Sequence, residues 1–219
     1  MSSWLRRVFL CTFMILLYAS VSAAADFPSA KRAYEEKDYA AALNEFTPLA
    51  QQGNADAQLF LGKMYMMGEG VLKNSDQALK WFKASAAQGN GDAQFFVGSI
   101  YLMPRKDVVE GAKWLRLSAE QGNQDAQWLL GKAYLKGDKD LPRDPVQAEM
   151  WLRLAAKNNL EFYQNTVRLA EGQISAAEIA KGKALADAWT PKRGLRPGRD
   201  SALLRALLRP LLAPQYFRK

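Results

Sequence analysis

The sequence predicts an all-α fold, a solenoid of stacked helical hairpins, and three observations carry that reading. One phrase is written three times: GNADAQLFLGKMY at 53–65, GNGDAQFFVGSIY at 89–101 and GNQDAQWLLGKAY at 122–134. Each copy leads to a second phrase built round a tryptophan: ALKWFKASAAQG at 78–89, GAKWLRLSAEQG at 111–122 and AEMWLRLAAKNN at 148–159. In both phrases apolar residues recur at spacings of three and four, the period of one helix face. A short helix–turn–helix unit cannot bury its apolar face alone, so repeated units stack on one another.

The first helix of each unit is expected to begin near Asp56, Asp92 or Asp125, where a carboxylate meets the unpaired N–H groups and the positive end of the helix dipole. Ala57-Leu61-Tyr65, Ala93-Val97-Tyr101 and Ala126-Leu130-Tyr134 then mark its buried face. Gly62, Gly98 and Gly131 lie inside these helices. Glycine costs about 1 kcal/mol there against alanine, so its return at one register points to close helix–helix contact. Gly68, Gly70 and Gly137 mark the turn to the second helix.

The second helix carries Trp81, Trp114 or Trp151 and closes at Gly89, Gly122 or Asn158-Asn159, residue types that accept the left-handed conformation. The repeat period is 36, then 33, then 37 residues. The variation falls in the turn, short in MPRKDVVEG and long in KGDKDLPRDPVQ.

Two flanking segments read as terminal units, which must hide the ends of a stack from water. Residues 26–52 look like a degenerate first repeat, with Ala33-Tyr34 opening a helix, Lys37-Asp38 as the tight turn and a second helix from Tyr39. Residues 160–190 look like a C-terminal capping hairpin, with a capping box at Ser175 and Glu178. Pro191 closes the helical region.

The motif DAQ-x-x-(L/V)-G-x-x-Y, with G-x-G-V at 68–71, A-x-x-W at 78–81 and A-A-Q-G at 86–89, resembles the Sel1-like repeats, relatives of tetratricopeptide repeats. The resemblance covers roughly 33–159, with three full repeats at 53–159. The second copy departs from the pattern, with Met103-Pro104 in place of a glycine turn and Gly111 before its tryptophan. The resemblance implies a right-handed α/α superhelix whose concave face holds a protein or peptide. It brings no catalytic residues and no cofactor.

The chain ends are of a different composition. Residues 1–25 read as a signal peptide: Arg6-Arg7, the apolar run VFLCTFMILLYASV, then small residues, with cleavage expected after Ala25 or Ala23. The apolar run is shorter than the roughly 20 residues that span a bilayer. Cleavage leaves about 194 residues without cysteine, because Cys11 is the only one. Export to the periplasm is the expectation. Residues 191–219 form a basic tail: from 190 onward eight lysines and arginines stand against Asp200 alone, while the body is near neutral. Within the tail, DSALLRALLRPLL sets a leucine stripe beside Arg205 and Arg209, a pattern that can dock on the stack, meet an anionic membrane or fill a partner's groove.

Catalysis finds little support. The chain has no histidine, which removes histidine triads, histidine metal ligands and the usual proton shuttle. No serine sits in a nucleophile elbow, no glycine-rich phosphate loop is present, and Asp138, Asp140 and Asp144 lack a calcium-loop pattern. Nucleic acid is not an expected partner, because aromatic residues are not interleaved with the tail's charges.

The recurring tyrosines and tryptophans are best read as core fillers. The partner-binding candidates lie beside them. Phe60, Phe96 and Leu129 share one register, with Met64 and Ile100 one turn later, and Gln58, Gln94 and Gln127 are expected to rim or line such a groove with Lys63 and Lys132. An apolar strip ringed by polar groups is a contact site in many proteins. Three roles stay open at this point: an exported scaffold for an envelope protein or peptide, a membrane- or wall-peripheral structural protein using its tail, and a carbohydrate-directed or hydrolytic protein.

Overall fold

A computed structural model describes residues 26–103, 106–158 and 160–192. These residues form ten α-helices and one 3-10 turn, with no strand among them. Four hairpins follow in order: α1 (Phe27–Glu35) with α2 (Tyr39–Gln51), α3 (Ala55–Met67) with α4 (Ser75–Ala87), α5 (Gly91–Leu102) with α6 (Val108–Glu120), and α7 (Gln124–Lys136) with α8 (Pro145–Ala155). A 3-10 turn, Ala156–Asn158, leads to α9 (Glu161–Glu171) and α10 (Ala176–Asp187). Each second helix also packs on the first helix of the next hairpin. The first helices α5 and α7 also touch each other.

Asparagine, not aspartate, caps the first helices. The Oδ1 atoms of Asn54, Asn90 and Asn123 accept the N–H of Ala57, Ala93 and Ala126, each at 2.9 Å. The aspartate sits inside the first turn and joins neighbouring units: Asn90 donates to Asp56 at 3.0 Å and Asn123 to Asp92 at 2.9 Å. In the same register Ser85 Oγ donates to the Ala55 carbonyl at 2.7 Å, and Ser118 Oγ to that of Gly91 at 2.6 Å. The phrase that recurs in the sequence is therefore a polar clasp between successive hairpins. Tyr163 extends it to α9 by donating to Asp125; burial and this bond push the phenol up to about 12.

The recurring glycines let two helices meet. A Cβ added at Gly62 would lie 2.5 Å from the Phe82 ring, and at Gly98 or Gly131 it would lie 2.7 Å from Leu115 or Leu152. Such separations are below van der Waals contact, so a methyl group there forces the helices apart. Gly111 answers Gly98 across the α5–α6 crossing; its own Cβ would lie 2.8 Å from the Leu102 nitrogen, which explains why the usual alanine is absent.

The N-terminal hairpin differs from the expected one at its start. α1 begins at Phe27, so Ala33 and Tyr34 close that helix instead of opening it. The turn passes through Lys37 at φ 63°, and Asp38 caps α2 by accepting the Ala41 N–H at 3.0 Å.

The C-terminal helices do not form a hairpin. α9 and α10 both pack on α8 and scarcely touch each other. The register also differs. In α3, α5 and α7 the contact glycine lies eight residues after the cap, whereas in α9, capped at Leu160, that position is Arg168. No second helix can approach an arginine as closely as it approaches a glycine. α10 instead brings its own glycine, Gly182, onto α8. The capping box that opens α10 is formed, with the Ser175 N–H donating to Glu178 at 2.8 Å; that bond holds the Glu178 carboxyl below its ordinary value.

Beyond α10 the chain turns back over α6. Trp189 meets Trp151 edge-on at 6.4 Å, the Lys192 N–H donates to the Glu120 carbonyl at 2.7 Å, and Lys192 Nζ lies 3.1 Å from the Glu120 carboxylate. The signal segment 1–25 and the tail from 193, including Arg205 and Arg209, lie outside the described residues.

Candidate partner-binding surface

Four of the residues expected to face a partner are interior. Gln58, Gln94, Gln127 and Met64 are all buried, Gln94 and Met64 completely. The glutamines form a ladder through the stack. Gln58 donates to the Ala50 carbonyl at 3.0 Å, Gln94 to Ala86 at 3.2 Å and Gln127 to Ala119 at 3.1 Å. Their side-chain oxygens accept in turn, Gln58 from Gln88 and Gln94 from Gln121, both at 2.8 Å. A buried amide needs such partners, because an unsatisfied one costs about 1–3 kcal/mol. These residues hold successive hairpins together and are not a rim. Their recurrence at one register, like that of the tyrosines, was the signal of a framework role.

Phe60 and Phe96 are half-buried and engaged with the stack. Phe60 lies in an aromatic cluster with Phe27 at 5.8 Å, Tyr34 at 5.1 Å and Phe46 at 4.9 Å. Phe96 stacks on Phe82 at 4.6 Å, and Ile100 packs on the same cluster. Lys63 bridges the two phenylalanines, with its ammonium 5.0 Å from the Phe60 ring and 5.7 Å from that of Phe96. What these residues present outward is a narrow strip of ring edges and one cation.

Leu129 has a different setting. It lines a cleft of about 390 Å³ between the end of α5, the start of α6 and α7, with Leu102, Met103, Trp128, Lys132 and Lys136. Met103 is 69% exposed. The Lys132 ammonium stands 4.3 Å over the Trp128 ring, and the Trp128 indole donates to Thr166 at 3.2 Å. Phe162, 58% exposed, continues the apolar surface 5.2 Å from Trp128. The open apolar ground is thus at the junction of the last two hairpins and α9. Trp128, Met103 and Phe162 were not singled out from the sequence. Trp128 shares its register with Leu59 and Phe95, one residue before the expected stripe, and the exposure of Met103 follows from where α5 ends.

The recurring tyrosines and tryptophans divide. Tyr134 and Trp151 are buried, while Tyr65, Tyr101, Trp81 and Trp114 are half-buried. Arg116, itself buried, lies 5.7 Å from the Trp151 ring and donates to the Tyr134 hydroxyl. The same register elsewhere pairs Lys83 with the Tyr101 hydroxyl at 2.6 Å and Arg153 with Glu171. The second helices α4, α6 and α8 therefore each grip the next first helix with a cation placed eighteen residues before its partner. These basic residues belong to the packing of the stack.

Among the described residues, no group of three or more acidic, histidine or cysteine side chains is placed to hold a metal ion, and no helix is long and apolar enough to cross a membrane.

Comparison with known proteins agrees with this geometry. The Sel1 repeat family matches residues 55–90, 91–123 and 124–160. A crystal structure of a Sel1 repeat protein from Oxalobacter formigenes is similar at 26% identity, covering 81% of this chain and 82% of that one, with a TM-score of 0.63. The protective antigen c5321 of uropathogenic Escherichia coli, displaying an SLR fold, is 27% identical over 79% of this chain and 44% of its own, with a TM-score of 0.41. Among curated proteins none matches. The fold is of a kind generally used for protein–protein interaction, and residues 55–160 of the chain match Sel1 repeats.

Proposed function

We propose that the protein is an exported scaffold that holds a protein or peptide partner in the bacterial cell envelope, there to assemble or regulate an envelope enzyme. The carrying observation is the open cleft at Leu129, where exposed apolar groups adjoin the ammonium groups of Lys132 and Lys136. The signal-like segment at 1–25 supports the periplasmic location. The test is crosslinked capture from envelope extract with the wild-type chain and with Leu129→Glu, a half-buried position, with circular dichroism to check that the variant keeps its fold. A partner retained by the first and lost by the second supports the reading. An unchanged set of captured proteins overturns the assignment to this cleft. Fractionation and N-terminal sequencing test the location: a mature chain starting at Asp26 or Ala24 in the periplasm is the expected result.

A second reading rests on the concentration of positive charge after residue 190. In it the protein sits on anionic lipid or cell wall through its tail. Vesicles containing anionic lipid should then retain the full chain in low salt and release a form lacking 193–219.

A further inference from the structure

The helix α9 lacks the second helix that every earlier first helix has. In α7 the face carrying Gly131 is covered by α8. The matching face of α9 carries Arg168 and is left open, with Val167 buried at its edge against α8, because α10 packs on α8 and away from it. The result is a cleft of about 450 Å³ with α9 and α10 as its walls and the end of α8 as its floor. Leu154, Val167 and Ala186 supply its apolar base. Its rim is cationic. Arg153 is shared by Glu149 and Glu171, one carboxylate in excess, so Lys157, Arg168 and Lys183 outnumber that charge and Asp187 by one. The Arg168 guanidinium bonds to the neutral side chain of Asn165.

We propose that this cleft seats an amphipathic helix of a protein partner, with carboxylates on its flanks, and so completes a fifth hairpin from outside. The vacancy fixes the shape of the occupant, and the arginine fixes its chemistry. A glycine at that register admits a second helix in close contact, whereas Arg168 holds a helix off and offers paired donors that suit a carboxylate. A helix laid into a groove with its apolar face inward is a recurrent mode of recognition. Charge separates this occupant from two others. The chain's own tail is strongly basic, and a second copy would bring the same cations to the cleft. The site is separate from the Leu129 cleft, so either can fail alone.

Fluorescence anisotropy with the full chain tests it, using two synthetic leucine-striped helical peptides, one flanked by glutamates and one by lysines. The glutamate peptide should bind saturably and the lysine peptide should not. Arg168→Glu with Lys183→Glu should weaken the glutamate peptide by roughly tenfold or more and strengthen the lysine peptide. Both positions are exposed, and circular dichroism checks that the fold is kept. Leu129→Glu should leave peptide binding unchanged. Equal binding of both peptides, or glutamate-peptide binding that survives the double reversal because the tail supplies it, overturns the proposal.

Discussion

Gly182 of α10 lies so close to Glu149 of α8 that a Cβ added to the glycine would stand 2.5 Å from the Cβ of the glutamate. The Val146 carbonyl oxygen would be 2.9 Å away, so neither side chain nor backbone can give way cheaply. Gly182→Ala should therefore destabilise the protein by about 1–3 kcal/mol, the usual cost of overpacking. Hydrogen exchange over 176–187 should accelerate more than exchange in α3 or α5. Gly172→Ala is the contrast, because an added Cβ there meets nothing nearer than 3.7 Å.

The glutamine ladder makes a second prediction. Gln94→Leu keeps the volume roughly but removes one bond to the Ala86 carbonyl, which keeps the Gly89 N–H, and one acceptor of the Gln121 amide. The expected loss is about 1–3 kcal/mol, read as a lower urea midpoint with the slope unchanged. An exposed glutamine such as Gln52 should be neutral to the same change.

Glu149 sets a pH dependence. Burial raises its carboxyl above 4.5, an effect that Arg153 partly offsets. The folded chain then holds this proton more tightly than the unfolded chain does. Its contribution to stability is therefore most favourable below 4.5 and falls as pH rises through the raised value. Glu149→Gln should flatten the dependence of the thermal midpoint on pH above 4.5. A steeper dependence in the variant would contradict the assignment.

Trp151 reports on the return of the chain over α6. Trp189 covers it edge-on, a contact of a kind worth about 0.5–1.5 kcal/mol. A chain ending at Ala188 should lose roughly that much stability, together with the Lys192 contacts, and its tryptophan emission should shift to the red. An unchanged spectrum would show that Trp189 does not shield the indole.

The repeat pattern by itself determined the helical pairs, their order and the places where glycine must bring two helices together. Those features are local or periodic: a helix face repeats every three or four residues, and a turn announces itself by glycine and asparagine. The capping box at Ser175 and Glu178 was legible for the same reason, since both members lie within one turn. The tertiary structure alone decided where the recurring polar residues point. Gln58, Gln94 and Gln127 look like surface residues in a string of letters, and only the carbonyls of the preceding hairpin make them interior. It also decided that α9 and α10 part company, each packing on α8 and not on the other. The open apolar surface moved from Phe60 and Phe96 to Leu129, Trp128 and Met103 on the same ground: exposure depends on which rings another helix happens to cover.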